Sequence, residues 1–123
     1  MSDPAVDFGI LAGAGAPVRS FKAGETIFKE GDPAEELFVV KRGSVDILLA
    51  GRVMETVREN GIFGELALID QEPRAATVLA ATDVDLVPVS EKQFLFLVSQ
   101  TPHFALKVMR VLAGRMRTLN RAL

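Results

Sequence analysis

The chain has 123 residues, of which 49% are hydrophobic and 24% charged, with no cysteine and a formal net charge of −2. This length suits a single domain, and the absence of cysteine excludes a disulfide framework and thiolate chemistry. No apolar run reaches the roughly 18 residues of a membrane helix, and the net charge does not indicate nucleic-acid binding. Since the N-terminus lacks the basic start of a secretory signal, we expect a cytoplasmic protein.

The first residues differ in composition from the rest of the chain. Residues 1–17 are interpreted as an N-terminal segment in which 4–12 are compatible with a short helix and 12–17 (AGAGAP) form a flexible joint. Residues 18–123 are then expected to form one domain.

Short segments rich in β-branched and aromatic residues follow, separated by glycine turns. They lie at 18–22, 25–28, 36–41, 44–49 and 52–58, and then at ATVLA and VDLVPV. Many short strands at this spacing favour an antiparallel sandwich or barrel. Pro88 is expected at a strand end or at a sheet edge, because proline cannot donate to a ladder.

One segment between these strands predicts an anion site. It reads FGELALIDQEPRAATV and covers residues 63–78. If Gly64 caps a short helix from Glu65 to about Ile69, it offers no side chain to the first backbone N–H groups, which can then bind an anion. Arg74 adds a fork of donors that suits phosphate.

Small residues and one carboxylate complete this pattern. Ala75 and Ala76 leave their backbone amides approachable, while Glu65 suits a hydroxyl such as that of a ribose. A phosphate with a sugar hydroxyl indicates a nucleotide. On the residues alone, an alternative stays open in which Glu65 and Arg74 form a surface ion pair and LALI is ordinary core.

The last third of the chain changes to helical periodicity. Ser90 and Gln93 form a capping-box pattern, and Thr101-Pro102 starts a second helix that we expect from 102 to near 120. From Lys92 onward there are six basic residues and no acidic one. A helical wheel separates two groups, a basic stripe that we expect to be solvated and an apolar group that we expect to face protein. These are Lys107, Arg110, Gly114, Arg117 and Arg121 in the stripe, and Phe104, Val108, Val111, Leu112 and Leu119 in the apolar group.

The segment at 63–78 resembles the phosphate-binding cassette of the cyclic nucleotide-binding domain family. The matching residues are Phe63, Gly64, Glu65, Leu66, Ala67, Leu68, Pro73, Arg74, Ala75, Ala76, Thr77 and Val78. Residues 23–47 are similar to the early strands of that family; they read AGETIFKEGDPAEELFVVKRGSVDI. The resemblance extends over about residues 18–120. It implies a mainly β fold with flanking α-helices: an eight-stranded antiparallel jelly-roll-like β-barrel with N-terminal and C-terminal helices.

The resemblance also implies a role for each cassette residue. Glu65 would accept from the ribose 2′-OH, and Arg74 would pair with the cyclic phosphate. Backbone groups would complete the cradle at Gly64, Leu66, Ala67, Ala75 and Ala76. In the family a hydroxyl residue directly after the arginine is associated with cGMP, so Ala75 favours cAMP, with cGMP as the other candidate.

In the same family a residue of the C-terminal helix often covers the base. Arg115 lies apart from the basic stripe and is the candidate base cap, with Met116 and Leu119 as rivals. The alternative is an arginine that merely extends its charge to solvent at the edge of the stripe. If this helix closes over the ligand, binding shifts its position and makes it a lid.

The resemblance and the site residues together predict a stand-alone cyclic nucleotide-binding regulatory module, with cAMP as the ligand, and not an enzyme. The single histidine, His103, lies on the C-terminal helix, so neither a metal-dependent jelly-roll enzyme nor a nucleophile–base pair can be assembled. We expect no metal and no cofactor besides the ligand. The partner is either an unknown protein or a second copy, bound through the helices. Two alternatives stay open: the sensor half of a transcription regulator without its DNA-binding part, and a scaffold that binds no nucleotide.

Overall fold

The computed structural model describes residues 15–122, in which eight strands precede two long helices. In chain order these are β1 (Arg19–Phe21), β2 (Thr26–Phe28), β3 (Glu36–Arg42), β4 (Val45–Leu49), β5 (Arg52–Val57), β6 (Ile62–Phe63), α1 (Leu66–Ile69), β7 (Thr77–Ala80), β8 (Val84–Ser90), α2 (Glu91–Gln100) and α3 (His103–Ala122). The prediction of strands first and helices last is confirmed for this range. The short helix expected within 4–12 lies outside the described residues, as does the first half of the glycine-rich joint.

The strands form two four-stranded antiparallel sheets. Their orders are β1-β8-β3-β6 and β2-β7-β4-β5. The antiparallel prediction is confirmed, but the expectation of one closed barrel is not, because no ladder joins the two sheets in the described range. The consecutive strands β5 and β6 pair with β4 and β3 respectively, so the chain changes sheet there instead of continuing one.

The main hydrophobic core fills the space between the sheets. Alternate residues of β3, β4, β7 and β8 point into it, as expected for strands with side chains on opposite faces. Its buried members are Phe38, Val40, Val45, Ile47, Val57, Phe63, Val78, Ala80, Val84 and Leu86. Burying each of the larger side chains contributes about 1.5–3 kcal/mol, so this core contributes strongly to the stability of the fold.

A second core covers the other face of the β1-β8-β3-β6 sheet. Leu37, Val39, Ile62, Val87 and Val89 pack there against Phe104 and Val108 of α3. Neighbouring residues of β3 and β8 therefore face opposite cores, which is why their sequences are almost continuously apolar. This packing holds α3 beside β6, the strand that leads into the segment predicted to bind an anion.

Pro88 corrects one prediction. It lies inside β8, opposite Phe38 of β3, and β8 is an internal strand of its sheet. The fold accommodates it because β1 pairs only with Val84, Asp85 and Leu86 of β8. At Pro88 the flank of β8 away from β3 is therefore unpaired, and no ladder hydrogen bond is lost there.

The two long helices begin close to where the sequence indicates. The capping box of α2 is confirmed: the Ser90 hydroxyl accepts from the Gln93 amide at 3.2 Å, and the Ser90 amide donates to the Gln93 side chain at 2.8 Å. The predicted helix from 102 begins at His103 instead, because Pro102 and Thr101 form the turn whose carbonyls accept from Ala105 and Phe104.

Candidate functional site

Gly64 directs the chain from β6 into the candidate site. Its φ of 77° lies in the left-handed region that favours glycine. The N-cap of α1 is Glu65, and no side chain caps this helix. The sequence-based placement of the cap at Gly64 is therefore wrong by one residue, because the left-handed Gly64 belongs to the turn and Glu65 is the first residue with helical dihedral angles.

Unused backbone donors collect around this turn. The Ala67 amide donates to Gly64 O at 3.3 Å and the Leu68 amide to Glu65 O at 3.1 Å. The amides of Glu65, Leu66 and Ala75 donate to no acceptor within residues 15–122. Since α1 has only four residues, its macrodipole is small, and these amides act as individual donors.

Backbone hydrogen bonds fix Arg74 against the loop after β2. Its amide donates to Asp32 O at 2.8 Å, and its carbonyl accepts from the Gly31 amide at 2.8 Å. The residue is 8% exposed, and its Cζ atom lies 4.0 Å from the centroid of the Phe28 ring. Arg74 Nη1 donates to Gly64 O at 3.2 Å, so the side chain reaches back to the turn at the start of α1.

The charge of Arg74 is buried without a full counter-charge. Desolvation lowers the pKa of this guanidinium below its usual value, although the nearby charges of Glu36 and Asp32 act in the opposite direction. No carboxylate forms an ion pair with Arg74 in the described part of the chain, and its Nε has no hydrogen-bond partner there. A buried cation in this condition is suited to bind an anion.

Gly64 is also required for space. A Cβ atom at this position would lie 2.7 Å from Arg74 Nη1 and 3.6 Å from both Glu36 O and Phe28 Cε2. Any side chain would displace the guanidinium from its place above the Phe28 ring. Glycine therefore serves both the turn and the close approach of Arg74.

Glu65 pairs with Arg115 of α3 and not with Arg74. It is 5% exposed, and its Oε1 contacts Arg115 Nη1. Because Glu65 and Arg74 are both buried and each has other contacts, the alternative of a surface ion pair between them is wrong.

Arg115 connects the site to three elements. Its Nε donates to Glu55 Oε1 of β5 at 2.8 Å, and its Nη2 donates to Ile62 O of β6 at 2.6 Å. Its side chain is 12% exposed, so these bonds form largely away from solvent. The helical wheel correctly separated Arg115 from the exposed cations Arg110, Arg117 and Arg121, although Lys107 of the predicted stripe is half-buried. The Arg115 guanidinium is occupied by two carboxylates and does not extend to solvent.

The structure brings most of the predicted site residues together. Gly64, Glu65 and Arg74 lie around one turn, Leu66 and Ala67 follow on α1, and Ala75 and Ala76 follow Arg74. Ala67 is buried, while Leu66 and Ala75 are exposed. The rival caps Met116 and Leu119 are exposed near the end of α3.

Sequence reasoning missed two residues at the site, Phe28 and Glu55. Phe28 supports Arg74 from β2, and Glu55 holds Arg115 from β5. Neither lies in the segment at 63–78, and nothing in the local pattern of TIF or RVMETV indicates a contact across the fold. Only strand pairing and the packing of α3 bring them to the site.

Two absences within residues 15–122 bear on the class of site. No group of three or more His, Cys, Asp or Glu side chains is arranged to hold a metal ion there. In the same range no helix has both the length and the apolarity to span a bilayer.

Comparison with known proteins agrees with this geometry. Residues 18–101 match the model of the cyclic nucleotide-binding domain. A solved structure of the second cyclic nucleotide-binding domain of a PKA regulatory protein, "Sp-2Cl-cAMPS bound to PKAR CBD2", is similar with 29% identity and a TM-score of 0.76, covering 86% of this chain and 70% of that one. The Catabolite Activator Protein of Thermus thermophilus shows 28% identity and a TM-score of 0.76, covering 87% and 53%.

A third similar structure is that of an enzyme. The EAL enzyme Bd1971 in its cAMP-bound form shows 33% identity and a TM-score of 0.63, covering 86% of this chain and 29% of that one. The chain thus spans about half of the Thermus protein and less than a third of the EAL enzyme. The family model covers more than half of the chain and includes the turn at Gly64, the buried Arg74 and the strands around them. The chain therefore belongs to the cyclic nucleotide-binding domain family.

Proposed function

We propose that this domain is a cyclic nucleotide sensor whose preferred ligand is cAMP. The observation that carries the proposal is Arg74: a buried guanidinium with no ion-pair partner within 15–122, held against Phe28 beside unused backbone amides. A cyclic phosphate supplies the negative charge that this environment lacks, and charge-assisted hydrogen bonds to phosphate are strong in such places.

Each cassette residue then has a role in binding. Arg74 pairs with the cyclic phosphate, together with the backbone groups of Gly64, Leu66, Ala67, Ala75 and Ala76. Glu65 accepts from the ribose 2′-OH, which explains a carboxylate close to a phosphate site. The buried position of Glu65 supports this role, because hydrogen bonds to a desolvated carboxylate are stronger than those on the surface.

The preference for cAMP rests on Ala75. This residue directly follows Arg74 and has no hydroxyl with which to donate to a guanine base. Two similar structures hold cAMP or a cAMP analogue as the ligand, which supports the same choice. We keep cGMP as the second candidate ligand.

The ion pair of Glu65 with Arg115 supports a route from ligand to α3. A ribose at Glu65 would bind the same carboxylate that Arg115 contacts, so ligand binding and the position of α3 are linked through one side chain. We propose that α3 is the responsive element. Covering of the base by Arg115, Met116 or Leu119 stays a prediction.

We propose a regulatory role without catalysis by this domain, in a cytoplasmic protein. Its output then depends on a partner or on another part of a larger protein. The similarity to the Catabolite Activator Protein favours the sensor half of a transcription regulator as the second candidate. The third candidate is a scaffold without nucleotide binding.

Calorimetric titration with cAMP, cGMP and linear AMP tests the proposal. We expect cAMP to bind most tightly and Arg74→Ala to weaken binding by about ten- to hundred-fold, the loss of one charge-assisted contact. Arg58→Ala removes an exposed arginine after β5 and serves as the matched control, with unchanged affinity expected. Binding of neither cyclic nucleotide by folded protein would leave only the scaffold. Tighter binding of cGMP would overturn the choice of ligand but not the sensor.

A further inference from the structure

Helix α3 has one face packed on the protein body and another exposed to solvent. On the inner face Phe104 and Val108 are buried, Val111 and Leu112 are half-buried, and Arg115 reaches the carboxylates of the site. This face satisfies the need of α3 for a hydrophobic contact. The opposite side should then be polar, as in an ordinary amphipathic surface helix.

That side instead carries an apolar seam. We define the outer seam as Leu106, Met109, Ala113, Met116 and Asn120, all exposed. Leu106 is 42%, Met109 59% and Met116 64% exposed, which is high for large apolar side chains. The five positions of the outer seam are spaced alternately by three and four residues, which is the a/d repeat of helices that pair with another helix. Asn120 is the one polar residue among them.

Unpaired cations border this seam. Arg110 and Arg117 each follow a methionine of the outer seam, and both are exposed. Neither forms an ion pair within 15–122, and there is no acidic residue after Glu91 in the sequence. Arg110 lies in the middle of α3, so interaction with the helix C-terminus does not explain it.

We propose that the outer seam of α3 docks an amphipathic helix of a partner protein, with apolar residues along its centre and Glu or Asp beside them. The apolar centre would cover Leu106, Met109 and Met116, and the carboxylates would pair with Arg110 and Arg117. Residues next to the seam choose the partner of a paired helix through their charges, so an acidic border matches this basic one.

Charge argues against a second copy of α3 as the occupant. Two copies would bring the same arginines to the interface without a carboxylate on either helix, because α3 has none. In a parallel pair these arginines would face Ala105 and Leu112 of the other copy and gain no counter-charge, and in an antiparallel pair they would lie opposite each other and repel. A nucleic acid would pair with the cations but leave the apolar seam in water, so it explains only half of the surface.

The test uses a labelled synthetic peptide of three heptads, with Leu at a and d and Glu at e and g, and its counterpart with Lys in place of Glu. Like charges disfavour pairing of either peptide with itself. Binding to the chain is followed by fluorescence anisotropy at several salt concentrations, and sedimentation velocity reports the assembly state of the chain alone. Because no nucleotide is needed, the result is independent of the proposed function.

Two double variants separate the apolar and charged parts of the surface. Met109→Gln with Met116→Gln keeps side-chain length and helix propensity but removes the apolar seam. Arg110→Gln with Arg117→Gln removes the charged border. Lys29→Gln with Arg58→Gln changes net charge equally at exposed positions outside α3 and is the matched control. Circular dichroism checks that each variant is folded.

We expect the acidic peptide to bind and the basic one not to bind. The double variant Met109→Gln with Met116→Gln should bind the acidic peptide at least about ten-fold more weakly than wild type. The double variant Arg110→Gln with Arg117→Gln should bind this peptide several-fold more weakly and with a smaller salt dependence. The control variant should leave the affinity and its salt dependence unchanged. Failure of the acidic peptide to bind, equal binding of both peptides, or insensitivity to both α3 variants would overturn the proposal. Self-association of the chain that the methionine pair abolishes would overturn it in favour of a second copy.

Discussion

At the residue scale, the buried charge of Arg74 costs stability that its proposed role in binding would explain. Its guanidinium is buried, one of its nitrogens lacks a partner in the described range, and desolvation lowers its pKa. A cation whose pKa is lower in the folded than in the unfolded state destabilises the fold wherever it is protonated in both. In the proposed complex, the cyclic phosphate would neutralise this charge, which has no ion-pair partner within residues 15–122.

We predict that Arg74→Met raises the free energy of unfolding of the ligand-free protein by about 1 kcal/mol, because it keeps an apolar stem on Phe28 and removes the buried charge. Urea denaturation measures this free energy of unfolding, and the surface control Arg58→Met should change it little. A less stable Arg74→Met protein would mean that the contacts with Phe28 and Gly64 O outweigh desolvation.

Phe28 is expected to matter for affinity through Arg74. Its ring holds the guanidinium at 4.0 Å, a contact that contributes about 0.5–2 kcal/mol. We predict that Phe28→Leu weakens cAMP binding about three- to ten-fold in calorimetric titration. Phe94→Leu makes the same change in the other core, where Phe94 is half-buried, and should not alter affinity. Equal losses in both variants would indicate a general loss of packing instead.

At the scale of elements, one arginine ties α3 to three other parts of the fold. Arg115 contacts Glu55 on β5, Ile62 O on β6 and Glu65 at the start of α1. Breaking one partner of a buried ion pair leaves the other charge desolvated, which costs more than removing both. The contacts of Arg115 therefore allow a test of which partner stabilises its buried charge.

We predict that Arg115→Met lowers the free energy of unfolding by about 3 kcal/mol and that adding Glu65→Gln restores part of this loss. Chemical denaturation of wild type, both single variants and the double variant gives the coupling energy. A double variant less stable than Arg115→Met alone would contradict the assignment of Glu65 as the main partner of Arg115.

At the scale of the whole molecule, ligand and stability are linked. A ligand that binds only the folded state stabilises it by about 2.7 kcal/mol at one hundred times its Kd. We predict that cAMP at this ratio raises Tm in a thermal melt, whereas linear AMP at the same concentration does not. Arg74→Ala should remove most of the shift. The same shift with Arg74→Ala would place the bound nucleotide outside the proposed site.

The general architecture follows from local patterns. Glycine turns and β-branched segments predicted the strands, and the Ser90–Gln93 capping box and the residues at 101–102 predicted the two long helices. These signals are local because turn and cap hydrogen bonds join residues close in sequence. Pro88 was mispredicted because its tolerance depends on where β1 ends, which β8 alone does not indicate.

The sequence by itself determined the family resemblance and the residues of the candidate site between Gly64 and Ala76, because those residues are neighbours along the chain. It also determined that Arg115 belongs to a different face of α3 from the other cations, because helical periodicity is a local property. What Arg115 touches was not predictable, since Glu55, Ile62 and Glu65 lie 50 or more residues away. Only the tertiary structure decided that Glu65 pairs with Arg115, that Phe28 supports Arg74, and that Leu106, Met109 and Met116 stay exposed, because each depends on which surfaces packing brings together.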